Sequence, residues 1–174
     1  MANKGLIMVN TGNGKGKTTA ALGLAFRALG HNLPVCIIQF IKGTWKYGEL
    51  TSAERFAGLL EFHISGKGFT WDSQDPQADI DAARAGWELA KSRIVAGKHH
   101  LLILDEFTYA LKLGMVDEDE VLATLQAKPQ TLHLLITGRD ASPALIDLAD
   151  LVTEMREVKH PFNTGTNAQK GIEF

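Results

Sequence analysis

The residues best suited to chemistry lie between positions 11 and 19, which read Thr-Gly-Asn-Gly-Lys-Gly-Lys-Thr-Thr. Glycines lack a Cβ, so backbone N–H groups around them can approach a ligand closely. In such a loop Lys17 would contact phosphate oxygens and the Thr18 hydroxyl would bind Mg²⁺. The stretch therefore predicts a nucleotide phosphate site formed by Gly12, Asn13, Gly14, Lys15, Gly16, Lys17, Thr18 and Thr19.

The surroundings of this loop support that interpretation. An apolar run of strand type, Leu6–Val9, precedes it, and Leu22, Ala25, Phe26 and Leu29 follow at helical spacing. The N-terminus of that helix would add unpaired N–H groups and a partial positive charge. The usual motif begins with glycine, whereas this one begins with Thr11, which indicates a subclass with its own loop shape. The alternative is an ordinary glycine turn, which the strand and helix on either side disfavour.

Two carboxylates, Asp105 and Glu106, end the apolar run 101–104. Beside a phosphate loop, one carboxylate holds Mg²⁺ directly or through water, and a second can orient an attacking water. We therefore predict Lys17, Thr18 and Glu106 as catalytic residues, and a metal site formed by Thr18, Asp105 and Glu106. The alternative is a strand that ends at a solvated acidic turn.

A cation and two aromatic loops complete the candidate groups. Arg139 follows the fifth predicted strand and could neutralise phosphate charge, or could form a surface salt bridge. Trp45 and Tyr47 lie in one loop, and Phe69 and Trp71 lie in another, among glycines and lysines. Aromatic side chains there could contact a flat organic substrate, a nucleobase or a partner protein, or could pack on the core. His160, near the C-terminus, is a further group that could reach the site.

Strands and helices alternate along the whole chain, which predicts an α/β fold with a mostly parallel sheet of about six strands and helices on both faces. This is a three-layer sandwich of the P-loop NTPase (RecA-like) type, with residues 1–174 as a single domain. Right-handed crossovers would bring the phosphate loop and the other strand ends to one edge. The predicted strands are Leu6–Val9, Val35–Phe40, Leu59–Ile64, His99–Leu104, Thr131–Ile136 and Leu151–Met155.

Helix starts are predicted at three places. Asp75-Pro76 begins a long helix that Gly97 ends, with a buried face that includes Trp87. Asp117 with Glu120 forms a capping box, and Ser142-Pro143 places proline at the first helical position.

The composition limits the class of protein. The chain has 174 residues, of which 45% are apolar, and a formal net charge of −2, so nucleic acid is not an expected partner. Its single cysteine, Cys36, lies in an apolar run and is predicted to be a buried structural thiol. No apolar run has the length of a membrane span, and no signal-peptide pattern precedes the first strand. We predict a cytoplasmic protein without a membrane partner.

Taken together, the motifs resemble the P-loop type of cob(I)alamin adenosyltransferase. The resemblance covers nearly the whole chain, with the motifs in the same order. They are Gly-Asn-Gly-Lys-Gly-Lys-Thr-Thr at 12–19, Gly-Phe-Thr-Trp at 68–71, Leu-Asp-Glu at 104–106, Thr-Gly-Arg at 137–139, Ala-Asp-Leu-Val-Thr-Glu-Met at 149–155 and Ala-Gln-Lys-Gly-Ile-Glu-Phe at 168–174.

The resemblance implies a reaction between ATP and a reduced corrinoid, such as cobalamin or cobinamide. Co(I) would attack the 5′ carbon of ATP, and triphosphate would leave intact, with Mg²⁺ or Mn²⁺ as cofactor. It also implies that ATP binds with its triphosphate reversed relative to ordinary P-loop enzymes, which fits the shifted Gly12. No general base is needed, since the nucleophile belongs to the corrinoid.

The resemblance also implies how the corrinoid is prepared. Phe69 and Trp71 would lie under the corrin and displace the lower cobalt ligand, so that a flavodoxin-like donor can reduce the metal. A homodimer is implied as well. Several family members carry an N-terminal arm over the neighbouring subunit's site, whereas this sequence begins with Met1-Ala2-Asn3 shortly before the first predicted strand. How the corrin is capped is therefore left open.

Two other functions fit the phosphate loop alone. One is a small phosphohydrolase or phosphotransferase in which Glu106 orients a nucleophile at the γ-phosphate. The other is a non-catalytic sensor of ATP that signals through its aromatic loops. The products separate the three hypotheses: triphosphate without ADP, ADP with phosphate, or no product at all.

Overall fold

The computed structural model describes residues 4–41, 47–66 and 75–173, and within them the chain forms a six-stranded sheet. The strand order is β3-β2-β4-β5-β1-β6, and the five pairings between neighbours are all parallel. The strands are β1 Ile7–Thr11, β2 Val35–Gln39, β3 Leu60–Ile64, β4 Leu101–Asp105, β5 His133–Thr137 and β6 Leu151–Glu154.

Helices cover the sheet on both faces, as parallel strands require. One core cluster joins α1 to the sheet, and the other joins the sheet to residues of α3, α4, α5 and α6. The helices are α1 Lys17–Gly30, α2 Gly48–Ala53, α3 Pro76–Ala96, α4 Phe107–Lys112, α5 Glu118–Gln126 and α6 Pro143–Leu148, with short 3₁₀ segments at Glu54–Phe56 and Pro161–Thr164. The predicted three-layer α/β sandwich is confirmed.

The predicted helix starts are confirmed at their caps. The side chain of Asp75 accepts a hydrogen bond from Ala78 N at 3.1 Å, directly before Pro76. At the start of α5 the Asp117 side chain accepts from Glu120 N at 2.8 Å, and at the start of α6 the Ser142 side chain accepts from Leu145 N at 3.1 Å. These short polar side chains satisfy N–H groups that have no partner within the helix.

The buried face of α1 differs from the predicted one. Phe26 is 69% exposed and packs edge-on against Phe56, with ring centroids 6.2 Å apart. Alanines form most of the buried face instead, since small side chains let this helix lie close to the sheet. The buried apolar residues are Ala21, Ala25, Ala28 and Leu29.

Two predictions about the core hold. Trp87 is 2% exposed, and its ring stacks on Phe107 at a centroid distance of 5.4 Å. Cys36 is completely buried, and burial raises the pKa of its thiol to about 12. A thiol in that state is inert, as expected for a structural cysteine.

Three strands run further than their apolar residues predict. β1 extends through Thr11, β4 through Asp105 and β5 through Thr137. These polar ends stay in the sheet because their side chains find partners on one another or on neighbouring loops. Helix α4 was not predicted. None of the helices in the described ranges combines the length and apolar character needed to cross a bilayer.

Candidate active site

The loop between β1 and α1 is shaped by contacts with the end of β6. Gly14 N donates to Met155 O at 2.7 Å, and Met155 N donates to Thr11 O at 2.8 Å. A Cβ on Gly12 would lie 2.5 Å from Met155 O, and one on Gly14 would lie 2.7 Å from the carbonyl carbon of Arg156. Both positions therefore exclude side chains, in addition to the positive φ of 93° at Gly12.

Lys17 is held beneath this loop. It is 7% exposed, and its Nζ donates to Gly12 O and Gly14 O, both at 2.8 Å. Burial lowers the pKa of Lys17, and the Glu106 carboxylate opposes that shift. The ammonium group therefore lies under the loop, where the loop carbonyl oxygens hold it.

Asp105 is the centre of a buried hydrogen-bond network. It is 1% exposed, and its Oδ1 accepts from Thr18 Oγ1 at 2.8 Å and from Thr137 Oγ1 at 2.7 Å. Its Oδ2 accepts from Gln39 Nε2 at 3.1 Å. Three donors converge on this carboxylate, whose two oxygens both act as acceptors. Hard cations prefer such oxygen ligands, so Thr18 and Asp105 fit a magnesium site.

Glu106 and Arg139 are positioned by the neighbouring strand ends. Glu106 has a left-handed φ of 58°, and its N–H donates to Thr137 Oγ1 at 2.9 Å. Arg139 O accepts from Thr108 Oγ1 at 2.7 Å, and a Cβ on Gly138 would lie 2.0 Å from that same hydroxyl oxygen. A non-glycine residue in this backbone region is typical of functional sites, where the surrounding contacts hold it in place.

These groups surround one open cavity of about 810 Å³, which is large enough for a nucleotide. Apolar and aromatic side chains, among them Leu22, Ile41 and Tyr109, form part of its wall. Tyr47, from one of the predicted aromatic loops, also lies there. The predicted residues that line it are Asn13, Gly14, Lys15, Gly16, Lys17, Thr18, Thr19, Glu106 and Arg139.

The C-terminal tail forms another part of the wall. His160, Gly171, Ile172 and Glu173 line the cavity, so the structure places His160 at the site as the sequence suggested. Lys15 forms an ion pair with Glu173, at the other end of the chain. Sequence reasoning missed this role of the tail, because no local pattern connects residues 158 positions apart.

Several sequence-predicted residues lie elsewhere. Gly12 and Asp105 are not among the residues that line the cavity, although both contact residues that do. Trp45, Phe69 and Trp71 lie outside the described residues. Sequence reasoning also missed Gln39, which is the last residue of an apolar strand; only its polar character marked it.

The fold and the phosphate loop define the class of protein. Similar solved structures include the flagellar accessory protein FlaH from Methanocaldococcus jannaschii, with a TM-score of 0.53 and 12% identity over 86% of this chain and 70% of that one. A KaiC-like protein from Pyrococcus horikoshii gives the same TM-score at 15% identity, over 90% of this chain and 75% of its own. At these identities the likeness shows the fold alone, which is of the P-loop NTPase type.

The family follows from sequence. Residues 3–174 match the model for ATP:corrinoid adenosyltransferase BtuR/CobO/CobP, and the chain belongs to this family. Corrinoid adenosyltransferases from Pseudomonas aeruginosa and Sinorhizobium sp. are 46% and 45% identical to it over 98% of its length, and over 84% and 81% of their own. The protein named corrinoid adenosyltransferase CobA from Salmonella typhimurium is 43% identical over 98% of this chain and 86% of its own. The resemblance seen in the motifs is confirmed, and the chain is a transferase of this family.

Proposed function

We propose that this protein transfers the 5′-deoxyadenosyl group of ATP to the Co(I) centre of a reduced corrinoid, in the biosynthesis or salvage of adenosylcobalamin. The main support is the family match over residues 3–174, together with a cavity that the predicted phosphate-loop residues line. The electron pair of Co(I) forms the bond to C5′. The bond between C5′ and O5′ breaks, and triphosphate leaves with that oxygen.

The protein has to stabilise the negative charge of the triphosphate leaving group. Triphosphate carries several negative charges, so its departure is favoured by cations fixed before the reaction begins. Lys15, Lys17 and Arg139 line the cavity and supply them, together with the N–H groups at the start of α1. No side chain has to remove a proton, because Co(I) attacks as an electron pair.

We further infer that Mg²⁺ or Mn²⁺ accompanies ATP, with Thr18, Asp105 and Glu106 as its protein partners. The fit rests on chemistry: a buried carboxylate that only accepts hydrogen bonds lies 2.8 Å from the Thr18 hydroxyl. A divalent cation there would neutralise triphosphate charge during the transfer. Thr18 would bind it while still donating to Asp105, which keeps the hydroxyl oriented.

The corrinoid is the second substrate, and the resemblance assigns its lower face to Phe69 and Trp71. Loss of both aromatic rings should affect the corrinoid and leave ATP binding unchanged. In the Phe69→Ala/Trp71→Ala variant we expect wild-type ATP affinity, loss of the four-coordinate Co(II) signal in electron paramagnetic resonance, and a steep fall in flavodoxin-driven turnover. Turnover from preformed Co(I) should suffer less. An intact four-coordinate signal would contradict this role.

Two further parts of the proposal also rest on the resemblance. A flavodoxin-like protein supplies the electron that produces Co(I), and the enzyme acts as a cytoplasmic homodimer. Cross-linking and light scattering at micromolar concentration would test the dimer. A monomer under those conditions would exclude it.

The decisive experiment combines the protein with ATP, Mg²⁺ and chemically reduced cobalamin. We expect the Co(I) spectrum to be replaced by that of an alkylated corrin, with one triphosphate released per corrin and no ADP. The appearance of ADP and phosphate at the same rate without the corrinoid would favour a phosphohydrolase. Tight ATP binding without any product would favour a sensor.

A further inference from the structure

Gln39 has an unused hydrogen-bond acceptor beside the candidate metal site. The residue ends β2 and is 1% exposed, and its Nε2 donates to Asp105 Oδ2 at 3.1 Å. Its Oε1 is buried and has no hydrogen-bond partner among the described residues. A buried carbonyl oxygen without a donor costs about 1–3 kcal/mol, so native proteins seldom keep one without a use.

The orientation of this amide is fixed by its neighbour. Asp105 accepts from the hydroxyls of Thr18 and Thr137 on its other oxygen, and a carboxylate oxygen faces the NH₂ group of Gln39 more favourably than its carbonyl oxygen. The backbone is equally constrained. Phe40 N donates to Asp105 O at 3.0 Å, and Ser65 N donates to Gln39 O at 2.8 Å. The free oxygen therefore cannot be removed by rotating the amide or shifting the strand.

Three polar groups near Asp105 in the described part of the chain already use their hydrogens elsewhere. Thr18 and Thr137 direct their hydroxyl hydrogens to the carboxylate, and the Lys17 ammonium donates to two loop carbonyls. We therefore expect the donor for the Gln39 oxygen to arrive with the ligands of this site. A water bound to a divalent cation is a strong donor, because the cation polarises its O–H bonds.

We propose that Gln39 is a positioning residue for the metal that accompanies ATP: its NH₂ group fixes Asp105, and its free carbonyl oxygen accepts a hydrogen bond from a metal-bound water. The amide is neutral and takes no proton, so it orients the metal's surroundings without acting as a base. This inference rests on the metal role in the proposed function. Partners that orient metal ligands in this way typically contribute about 10- to 100-fold in metal affinity.

The test measures metal binding directly, with Mn²⁺ as the probe. Free Mn²⁺ is followed by electron paramagnetic resonance in the presence of saturating ATP, for the wild type and Gln39→Met. The matched control is Ile37→Met, which introduces the same side chain two residues earlier on the same face of β2, where Ile37 is 1% exposed. ATP affinity without metal is measured separately in EDTA.

We expect Gln39→Met to weaken Mn²⁺ binding to the ATP complex by about tenfold, with metal-free ATP affinity within about twofold of wild type. Equal Mn²⁺ affinities in the two methionine variants would overturn the proposal. So would a parallel loss of metal-free ATP affinity, since the oxygen would then bind the nucleotide itself.

A second variant guards against misfolding of the first. Gln39→Asn keeps both groups of the amide on a side chain that is one methylene shorter, so its carbonyl oxygen no longer reaches the metal-bound water. We expect its Mn²⁺ affinity to fall about tenfold as well, with metal-free ATP affinity within about twofold of wild type. A wild-type Mn²⁺ affinity in Gln39→Asn would contradict the proposal.

Failure of this inference and failure of the proposed function are distinguishable. If the wild-type ATP complex binds no Mn²⁺, both the Gln39 role and the metal role are wrong. Adenosyl transfer is judged separately, by the release of triphosphate from reduced cobalamin and ATP.

Discussion

The two walls of the cavity are built in different ways. The inner wall is the loop before α1 together with the strand ends that support it, and its key side chains are buried: Lys17, which lines the cavity, is 7% exposed, and Asp105 and Thr137 behind it are 1% and 0% exposed. The outer wall is the C-terminal tail, in which residues 156–159 and 161–172 are exposed. Among the described residues, the ion pair between Lys15 and Glu173 joins this tail to the phosphate loop.

The two walls are held together by different kinds of interaction. Buried donors and acceptors must pair with one another, so the inner wall is complete as soon as the sheet forms. A half-exposed ion pair such as Lys15–Glu173 contributes little to stability. The negative charge of bound ATP would compete with Glu173 for Lys15, so this contact of the outer wall should weaken when ATP binds. We therefore expect substitutions in the inner wall to have much larger effects than substitutions in the outer wall.

The sharpest test compares two lysines of the same loop. Lys17→Ala removes a buried cation that already lies beneath the expected position of the phosphates, and we expect ATP affinity to fall by about 100-fold or more. Lys15→Ala removes the loop lysine that pairs with Glu173 of the outer wall; its side chain is 39% exposed, and its loss should change ATP affinity by about threefold at most. Isothermal titration calorimetry with ATP measures both. Similar losses in the two variants would abolish the distinction between the walls.

The next test removes one hydroxyl from the inner wall. Thr137 donates to Asp105 Oδ1 and accepts from Glu106 N, so Thr137→Val removes one of the donors to the buried carboxylate and the acceptor of a partly buried N–H group. We expect a loss of about 2 kcal/mol in the free energy of unfolding. Thr153→Val is the control on the exposed strand β6, with an expected change within about 0.5 kcal/mol. Urea denaturation followed by circular dichroism provides both values.

Two glycines test whether the loop is held by close backbone contact. A Cβ on Gly14 would meet the carbonyl of Arg156 at 2.7–2.8 Å, whereas one on Gly23 in α1 would meet nothing within 4 Å. We expect Gly14→Ala to destabilise the protein by about 1–3 kcal/mol. Gly23→Ala should stabilise it by about 0.5–1 kcal/mol, since alanine has the higher helix propensity. Thermal unfolding of the pair checks the opposite signs.

The sequence predicts the inner wall well because its signals are local. The spacing of Gly12, Lys17 and Thr18, and the position of Asp105 at the end of an apolar run, require only that neighbouring residues form strand, loop and helix. The alternation of strands and helices then places those loops at one edge. The same local logic predicts the caps at Asp75 and Ser142, which the structure confirms.

The rest depends on pairings between distant parts of the chain. Gln39 contacts Asp105 because β2 lies beside β4 in the sheet, and hydrophobic periodicity does not predict the order of the strands. Glu173 contacts Lys15 across 158 positions, which no local pattern reveals. Phe26 shares the apolar periodicity of α1 and is nevertheless exposed, because periodicity marks apolar positions and cannot show that alanines suffice to pack this helix.

The smallest expected effect lies in the outer wall, and its sign is informative. Glu173 places a carboxylate at the cavity where triphosphate should bind, and it engages Lys15. In Glu173→Gln that negative charge is removed and Lys15 is released, so ATP should bind up to about threefold more tightly at low salt. The gain should shrink as ionic strength rises, because the charges are partly exposed.

The matched control is Glu157→Gln, which removes a tail carboxylate that accepts from Asn163 and does not line the cavity. The free energies of unfolding of both variants should lie within about 1 kcal/mol of the wild-type value, so that the variants differ only in ATP affinity. If Glu173→Gln instead weakens ATP binding while Glu157→Gln does not, the tail carboxylate holds the ligand or the loop in place. The outer wall would then be as essential as the inner one, and the contrast between them would be wrong.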